Sequence, residues 1–126
     1  MSAPRSVIRR LLKELDTWTN TESATEQGIE RLGPVSDEQL LTWEAVINGR
    51  GWGTDGRWLL QITIPAYPLH PPQISFATPI VHANVSLQNG EICLDLLKDA
   101  WTPAYSVLEC VRAVRRLLGI PALTRR

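Results

Sequence analysis

Apolar residues near the start of the chain recur at the spacing of a helix. In SAPRSVIRRLLKELDTW, residues 2 to 18, Val7, Ile8, Leu11, Leu12, Leu15 and Trp18 fall on one stripe, as a period of about 3.6 residues requires. Ser2 is placed to cap this helix, and Pro4 suits its first turn, where a missing N–H removes no hydrogen bond. Arg9, Arg10 and Lys13 fall on the opposite side and, taken by themselves, read as a solvated helix face. The polar stretch TNTESATEQGIERLGPVSDEQ that follows has no sustained period and is expected as a long loop with room for a helical turn. From Leu41 the period changes to two. LTWEAVIN and RWLLQITIP each fit a strand, with Trp58, Leu60, Ile62 and Ile64 alternating against Leu59, Gln61 and Thr63. The glycine-rich GRGWGTDG between them predicts an antiparallel hairpin. QISFA is a third strand, reached through YPLHPP, whose prolines impose an extended, rigid connection.

Residues 78 to 105 show little regular pattern, yet Ile80, Val81, Val85, Leu87, Ile92, Leu94, Leu96, Leu97 and Trp101 give them too much apolar surface for disorder. An ordered loop region packed on the domain is expected, and segments of that length in compact domains tend to carry function. The closing stretch SVLECVRAVRRLL predicts a helix with Val107, Cys110, Val111, Val114, Leu117 and Leu118 on one face. Ser106 can cap its start, and Gly119 followed by Pro121 ends it.

Bulk composition narrows the function classes. A chain of 126 residues is one domain's worth, and its 44% hydrophobic and 21% charged residues are those of an ordinary globular protein. Thirteen basic residues against thirteen acidic ones cancel, so no overall field drives the chain toward nucleic acid or an anionic membrane. No apolar run approaches the roughly 18 residues of a membrane span. Two cysteines without an apolar signal segment do not form a disulfide framework, which points to a reducing compartment.

The two cysteines differ in setting. Cys110 lies on the apolar stripe of the last helix and reads as core. Cys93 sits in the irregular segment close to the turn formers Asn89 and Gly90, where either a buried loop cysteine or a displayed functional thiol is consistent with position alone. A hydrolytic thiol needs a histidine relay, and nothing around His70 or His82 supplies one. Zinc binding by Cys93, Cys110, His70 and His82 would match no known ligand spacing. A thiol that accepts and passes on an acyl group remains. Such a carrier gains from lacking a strong adjacent base, because activated water would hydrolyse the thioester. It still needs a donor for the oxyanion of its tetrahedral intermediate, and Asn84 is the candidate amide beside its commoner reading as a turn asparagine.

These residues resemble the ubiquitin-conjugating enzymes along most of the chain. RRLLKEL is similar to the first helix of that family, YPLHPP to its Tyr-Pro-x-x-Pro-Pro segment, HAN to His-Pro-Asn, GEICLDLL to its active-site stretch, and WTPAYSVLECVRAV to its Trp-Ser-Pro-Ala loop and following helix. Their order and the interval from Cys93 to Trp101 make the match specific. The resemblance implies an α+β fold: an N-terminal helix, an antiparallel meander, a long active-site loop, then a helix, in a single conjugating domain over residues 1–126 whose usual C-terminal helices are absent. It implies that Cys93 takes the C-terminal carboxyl group of ubiquitin from an activating enzyme and passes it to a lysine or cysteine of a substrate chosen by a RING-type ubiquitin ligase. By the same match Asn84 stabilises the oxyanion or organises the loop, and His82, Asp95 and Trp101 support that loop. Arg9, Arg10 and Lys13 would meet the activating enzyme, and Leu69, Pro103 and Ala104 the ligase. ATP and magnesium are used on the activating enzyme, and no cofactor or metal is expected on this chain.

Three departures from the family pattern follow. Ala83 stands where the family has proline, and the interval from Asn84 to Cys93 is one residue longer than the commonest spacing. Both resemble the peroxisomal branch, in which a membrane-anchored peroxin holds a cytoplasmic enzyme at the cytosolic face of the peroxisome for recycling of import receptors. The third is the end of the chain, where the family continues into a loop bearing an acidic or serine residue. Asp95 and Asp99 are nearby carboxylates, but neither is assigned that role. The alternative function is a catalytically inactive module of the same fold that presents ubiquitin or a ligase; retention of Cys93 and Asn84 opposes it.

Overall fold

The computed structural model describes residues 3–51, 53 and 55–119. Helix α1 spans Arg5–Thr17 and α2 spans Val107–Gly119, with four strands between them: β1 Ile29–Pro34, β2 Thr42–Asn48, β3 Arg57–Thr63 and β4 Gln73–Phe76. The strands form one antiparallel sheet in the order β1-β2-β3-β4. This is the predicted meander with one strand more.

The hairpin follows its period-two pattern. Trp43, Ala45 and Ile47 of β2 and Leu60 and Ile62 of β3 are buried, while Thr42, Glu44, Val46, Leu59, Gln61 and Thr63 are exposed or half-buried. This alternation is the one pleating dictates, and it breaks at the end of β2, where the polar Asn48 is buried beside Ile47. On that inner face lies α2, whose Val107, Cys110, Val111 and Val114 are fully buried. Each such aliphatic side chain contributes about 1.5–3 kcal/mol on removal from water. The start of α2 is held by a reciprocal capping box. The Ser106 N–H donates to Glu109 Oε1 at 2.9 Å, and Ser106 Oγ accepts the Glu109 N–H at 3.2 Å.

Glu14 ties α1 to this end of α2. Its Oε1 accepts the Val107 N–H at 2.9 Å, and its Oε2 accepts the Tyr67 hydroxyl and Arg10 Nε. One carboxylate thereby satisfies an otherwise unpaired N–H in the first turn of α2. Within α1, Leu11 is 2% exposed but Leu12 is 47% exposed, so the buried stripe is narrower than the sequence pattern. Pro4 occupies the N-cap position rather than the first turn. The proposed Ser2 cap and Pro121 stop lie outside the described residues, and Gly119 is the last residue of α2.

The stretch after α1 holds a helical turn, for which the sequence left room, but its reading as a loop is corrected by a strand. The stretch begins with a π-helical turn, Trp18–Glu22, and contains β1. A shift in the β1–β2 register between Ile29 and Arg31 leaves Ile29 and Leu32 buried three positions apart. A bulge of this kind breaks the alternation that would reveal a strand, and Pro34 fits because β1 is an edge strand. Residues 78 to 105, by contrast, form the ordered segment expected of them, with isolated bridges at His82, Val85 and Ile92 and a short 3-10 helix at Asp95–Leu97.

Candidate active site

The segment carrying Cys93 is anchored at the edge of β4. The Phe76 N–H donates to the Gly90 carbonyl at 2.9 Å, and Ser75 bridges to Glu91. Gly90 has a φ of 75°, and a Cβ there would sit 2.2 Å from the Phe76 carbonyl oxygen. Only glycine serves this close approach in the left-handed region. Asn89 closes the turn by accepting the Glu91 N–H on its Oδ1 at 3.0 Å.

Beyond the turn the chain is extended, and alternation decides what each residue does. Val85 and Ile92, bridged to one another, are 5% and 2% exposed. Cys93, the next residue, must therefore point the other way, and it is exposed. Its N–H donates to the Asn84 carbonyl at 2.8 Å, while Asn84 Nδ2 reaches the Cys93 carbonyl at 3.4 Å. Two backbone stretches nine residues apart in sequence are clamped across this pair. Cys93 and Asn84 line one cleft of about 250 Å³ with Ala83, Val85, Ser86, Glu91, Ile92 and Lys98.

His82 fixes the other side of Asn84. Its Nδ1 accepts the Asn84 N–H at 3.0 Å, and Nε2 lies 3.2 Å from the Leu117 carbonyl of α2. A carbonyl only accepts, so the ring proton is assigned to Nε2 by its partners. With both nitrogens committed, His82 has no position from which to take a proton from the thiol, and no cysteine–histidine relay forms. Among the described residues no group of three metal-ligating side chains converges, so the four residues weighed for zinc do not come together.

Asp95 opens the 3-10 helix, and its carbonyl accepts the N–H groups of Lys98 and Ala100 at 2.9 Å each. Trp101 is buried at the end of the segment that follows the Asp95 turn. Its Nε1 donates to the Pro68 carbonyl at 2.9 Å, and its ring stands 5.8 Å from Tyr67 and 6.1 Å from Tyr105 between centroids. It thus joins the loop of Pro103 and Ala104 to the turn that displays Leu69, which is 76% exposed.

The three cations of α1 do not form a uniform surface. Arg9 and Lys13 are exposed. Arg10 instead donates from Nε to Glu14 at 3.0 Å and from Nη2 to the Tyr105 carbonyl, and its guanidinium carbon lies 5.1 Å from the Tyr67 ring centre. These bonds commit Arg10 to holding α1 against the Tyr67 and Tyr105 loops. A hollow of about 610 Å³ beside this helix, lined in part by Arg9, Lys13, Leu32, Trp43 and Leu108, is separate from the thiol cleft.

Sequence reasoning missed Glu91 and Lys98. Cys93 has no base next to it along the chain, yet in space a carboxylate side chain and an ammonium side chain border its cleft. The available signal was the leucine-rich turn LDLL, which folds the chain back so that Lys98 returns toward Cys93.

The site as built is an exposed thiol on an ordered ledge, with an amide clamped beside it, on a meander backed by α2. The family model described as ubiquitin-conjugating enzyme matches residues 10–125, and the chain belongs to that family. Within it the chain falls in the peroxin branch. It is 67% identical over 124 residues to the ubiquitin-conjugating enzyme E2 PEX4 of Gibberella zeae, covering 95% of this chain and 72% of that protein. It is 41% identical over 124 residues to Protein PEROXIN-4 of Arabidopsis thaliana, covering 96% of this chain and 75% of that one. A similar solved structure is the H. polymorpha ubiquitin-conjugating enzyme Pex4p in complex with the soluble domain of Pex22p, with a TM-score of 0.78, 34% identity, and coverage of 92% of this chain and 80% of that one. These comparisons bear out the fold and the enzyme class, and nothing in them favours the inactive module. Among the described residues no helix is long and apolar enough to cross a membrane.

Proposed function

We propose that Cys93 is the carrier thiol of a peroxisomal ubiquitin-conjugating enzyme and that Asn84 supplies the amide that steadies its tetrahedral intermediate. The observation that carries this reading is the exposed Cys93 beside a backbone-clamped Asn84, with both nitrogens of His82 already engaged.

In the first step the Cys93 thiolate attacks the activated C-terminal carbonyl of ubiquitin held as a thioester on the activating enzyme. The new C–S bond forms, the old one breaks, and the departing thiolate takes up a proton. In the second step an acceptor amine or thiol attacks the Cys93 thioester, and Cys93 leaves as thiolate. The Asn84 Nδ2 group, whose bond to the Cys93 carbonyl is long at 3.4 Å, is free to swing toward the developing oxyanion. His82 acts as a brace for Asn84, and the Asp95 turn as a brace for the chain leaving Cys93. No histidine relay is aimed at the thiol, so His82 does not activate water against the thioester.

Arg9 and Lys13 form the cationic contact with the activating enzyme, with Arg10 acting through α1's orientation. Leu69, Pro103 and Ala104 form an apolar patch for a RING-type ligase, held in shape by Trp101. A membrane-anchored peroxin recruits the enzyme to the cytosolic face of the peroxisome. Support for this comes from the similar Pex4p, solved with the soluble domain of Pex22p.

The test is single-round discharge. Enzyme precharged with ubiquitin is separated from the activating enzyme and chased with free lysine or a small thiol. Passage of ubiquitin to either acceptor faster than to water supports the reading; loss to water at the same rate with and without acceptor contradicts it.

A further inference from the structure

Val81 and Leu87 are 89% and 77% exposed, and both line one groove of about 530 Å³. An apolar side chain exposed singly needs no explanation, but two that line one groove beside a reactive thiol do. Pro79 and Ile80 extend the groove, and no charged side chain lines it. Val85 and Ser86 line both this groove and the cleft of Cys93, so the two are continuous.

The backbone holds both side chains out. Leu87 lies in a turn where the Ser86 N–H donates to the Glu91 carbonyl at 2.9 Å, the Gly90 N–H to the Ser86 carbonyl at 3.0 Å, and the Gln88 N–H to Ser86 Oγ at 3.2 Å. That turn falls in the interval from Asn84 to Cys93, which is one residue longer than the commonest spacing. Val81 immediately precedes His82, whose ring is fixed between the Asn84 N–H and the Leu117 carbonyl. A surface ordered in this way before any partner arrives loses little freedom on binding. The other partner surfaces lie elsewhere, since neither Arg9 and Lys13 nor Leu69, Pro103 and Ala104 line this groove.

We infer that the groove of Val81 and Leu87 is an acceptor subsite, seating an uncharged apolar side chain of the acceptor polypeptide while that polypeptide's nucleophile lies at Cys93. This rests on Cys93 being the carrier thiol. Continuity with the thiol cleft and the lack of charge decide the occupant. A charged acceptor side chain would give up water in the groove without gaining a partner, whereas an aliphatic one covers Val81 and Leu87 and gains by burial. The groove makes and breaks no bond; it keeps the acceptor's nucleophile near the thioester.

The test uses the full chain, charged with ubiquitin by the activating enzyme with ATP and magnesium and then freed of both. The probes are peptides with one central cysteine and a leucine walked along the flanking positions, each against the same peptide with serine in place of leucine. With rates normalised to discharge by free cysteine, at least one leucine peptide should take ubiquitin on the order of tenfold faster than its serine counterpart. Leu87→Ser should abolish that preference, and Val81→Ser should reduce it. Equal rates for leucine and serine at every position, or a preference that survives Leu87→Ser, would overturn the inference and leave the carrier reading intact. Self-association of the parent in sedimentation that Leu87→Ser abolishes would do the same, because a second copy would then cover the groove. Absence of any reducible adduct would overturn both.

Discussion

Cys93 and Cys110 are the same residue in opposite surroundings. Cys110 is fully buried on the inner face of α2, and burial, with Glu109 and Glu14 nearby, pushes its thiol up to about 12. Cys93 is exposed on an extended ledge whose neighbouring side chains, Val85 and Ile92, point inward and hold the backbone still. One thiol is packing material and the other is available to react. The difference comes from period: helical spacing carries Cys110 into the core, and strand-like alternation turns Cys93 out immediately after a buried isoleucine.

The largest expected effect is on labelling. At pH 8 a thiol with a pKa of about 12 is thiolate in roughly one part in ten thousand, and burial adds to that protection. Iodoacetamide applied to the folded protein should modify Cys93 at least about a thousandfold faster than Cys110, read by peptide mass. Comparable rates in folded protein would break the contrast.

Asn84→Ala should sharpen it from the chemical side. Removal of an oxyanion donor costs on the order of a hundredfold in rate, so discharge from Cys93 to lysine should slow by about that factor while charged enzyme still accumulates. Equal discharge by variant and parent would take Asn84 out of the chemistry and leave it a loop brace.

A smaller effect is expected at Gly90, which supports the ledge rather than the reaction. Gly90→Ala forces a side chain into positive φ and against the Phe76 carbonyl. The cost is about 1–3 kcal/mol for the backbone strain alone, measurable as a lowered urea midpoint, and Cys93 labelling should become less uniform. An unchanged midpoint would mean that the turn is not under the constraint described.

The same contrast governs what could be read from the residues. α2 and the β2–β3 hairpin were legible because each keeps a single period over its length, and Cys110 was assigned to the core on that basis. β1 was not, because its bulge sets Ile29 and Leu32 three apart. Arg10 was placed with the free cations, although Glu14 four residues on was a visible partner; its other contacts, Tyr67 and Tyr105, are distant in sequence. Position alone left Cys93 open, and the family resemblance carried its assignment. The meeting of Glu91 and Lys98 at the thiol cleft was hidden because a short 3-10 turn, with no period of its own, produces it.

The most direct test of the carrier claim is a charging reaction with activating enzyme, ubiquitin, ATP and magnesium, run on a non-reducing gel with parent, Cys93→Ser and Cys110→Ala. A reducible ubiquitin adduct should form on the parent and on Cys110→Ala, and Cys93→Ser should give either a reductant-resistant adduct or none. A reducible adduct that survives in Cys93→Ser, or that disappears in a folded Cys110→Ala, would contradict the account.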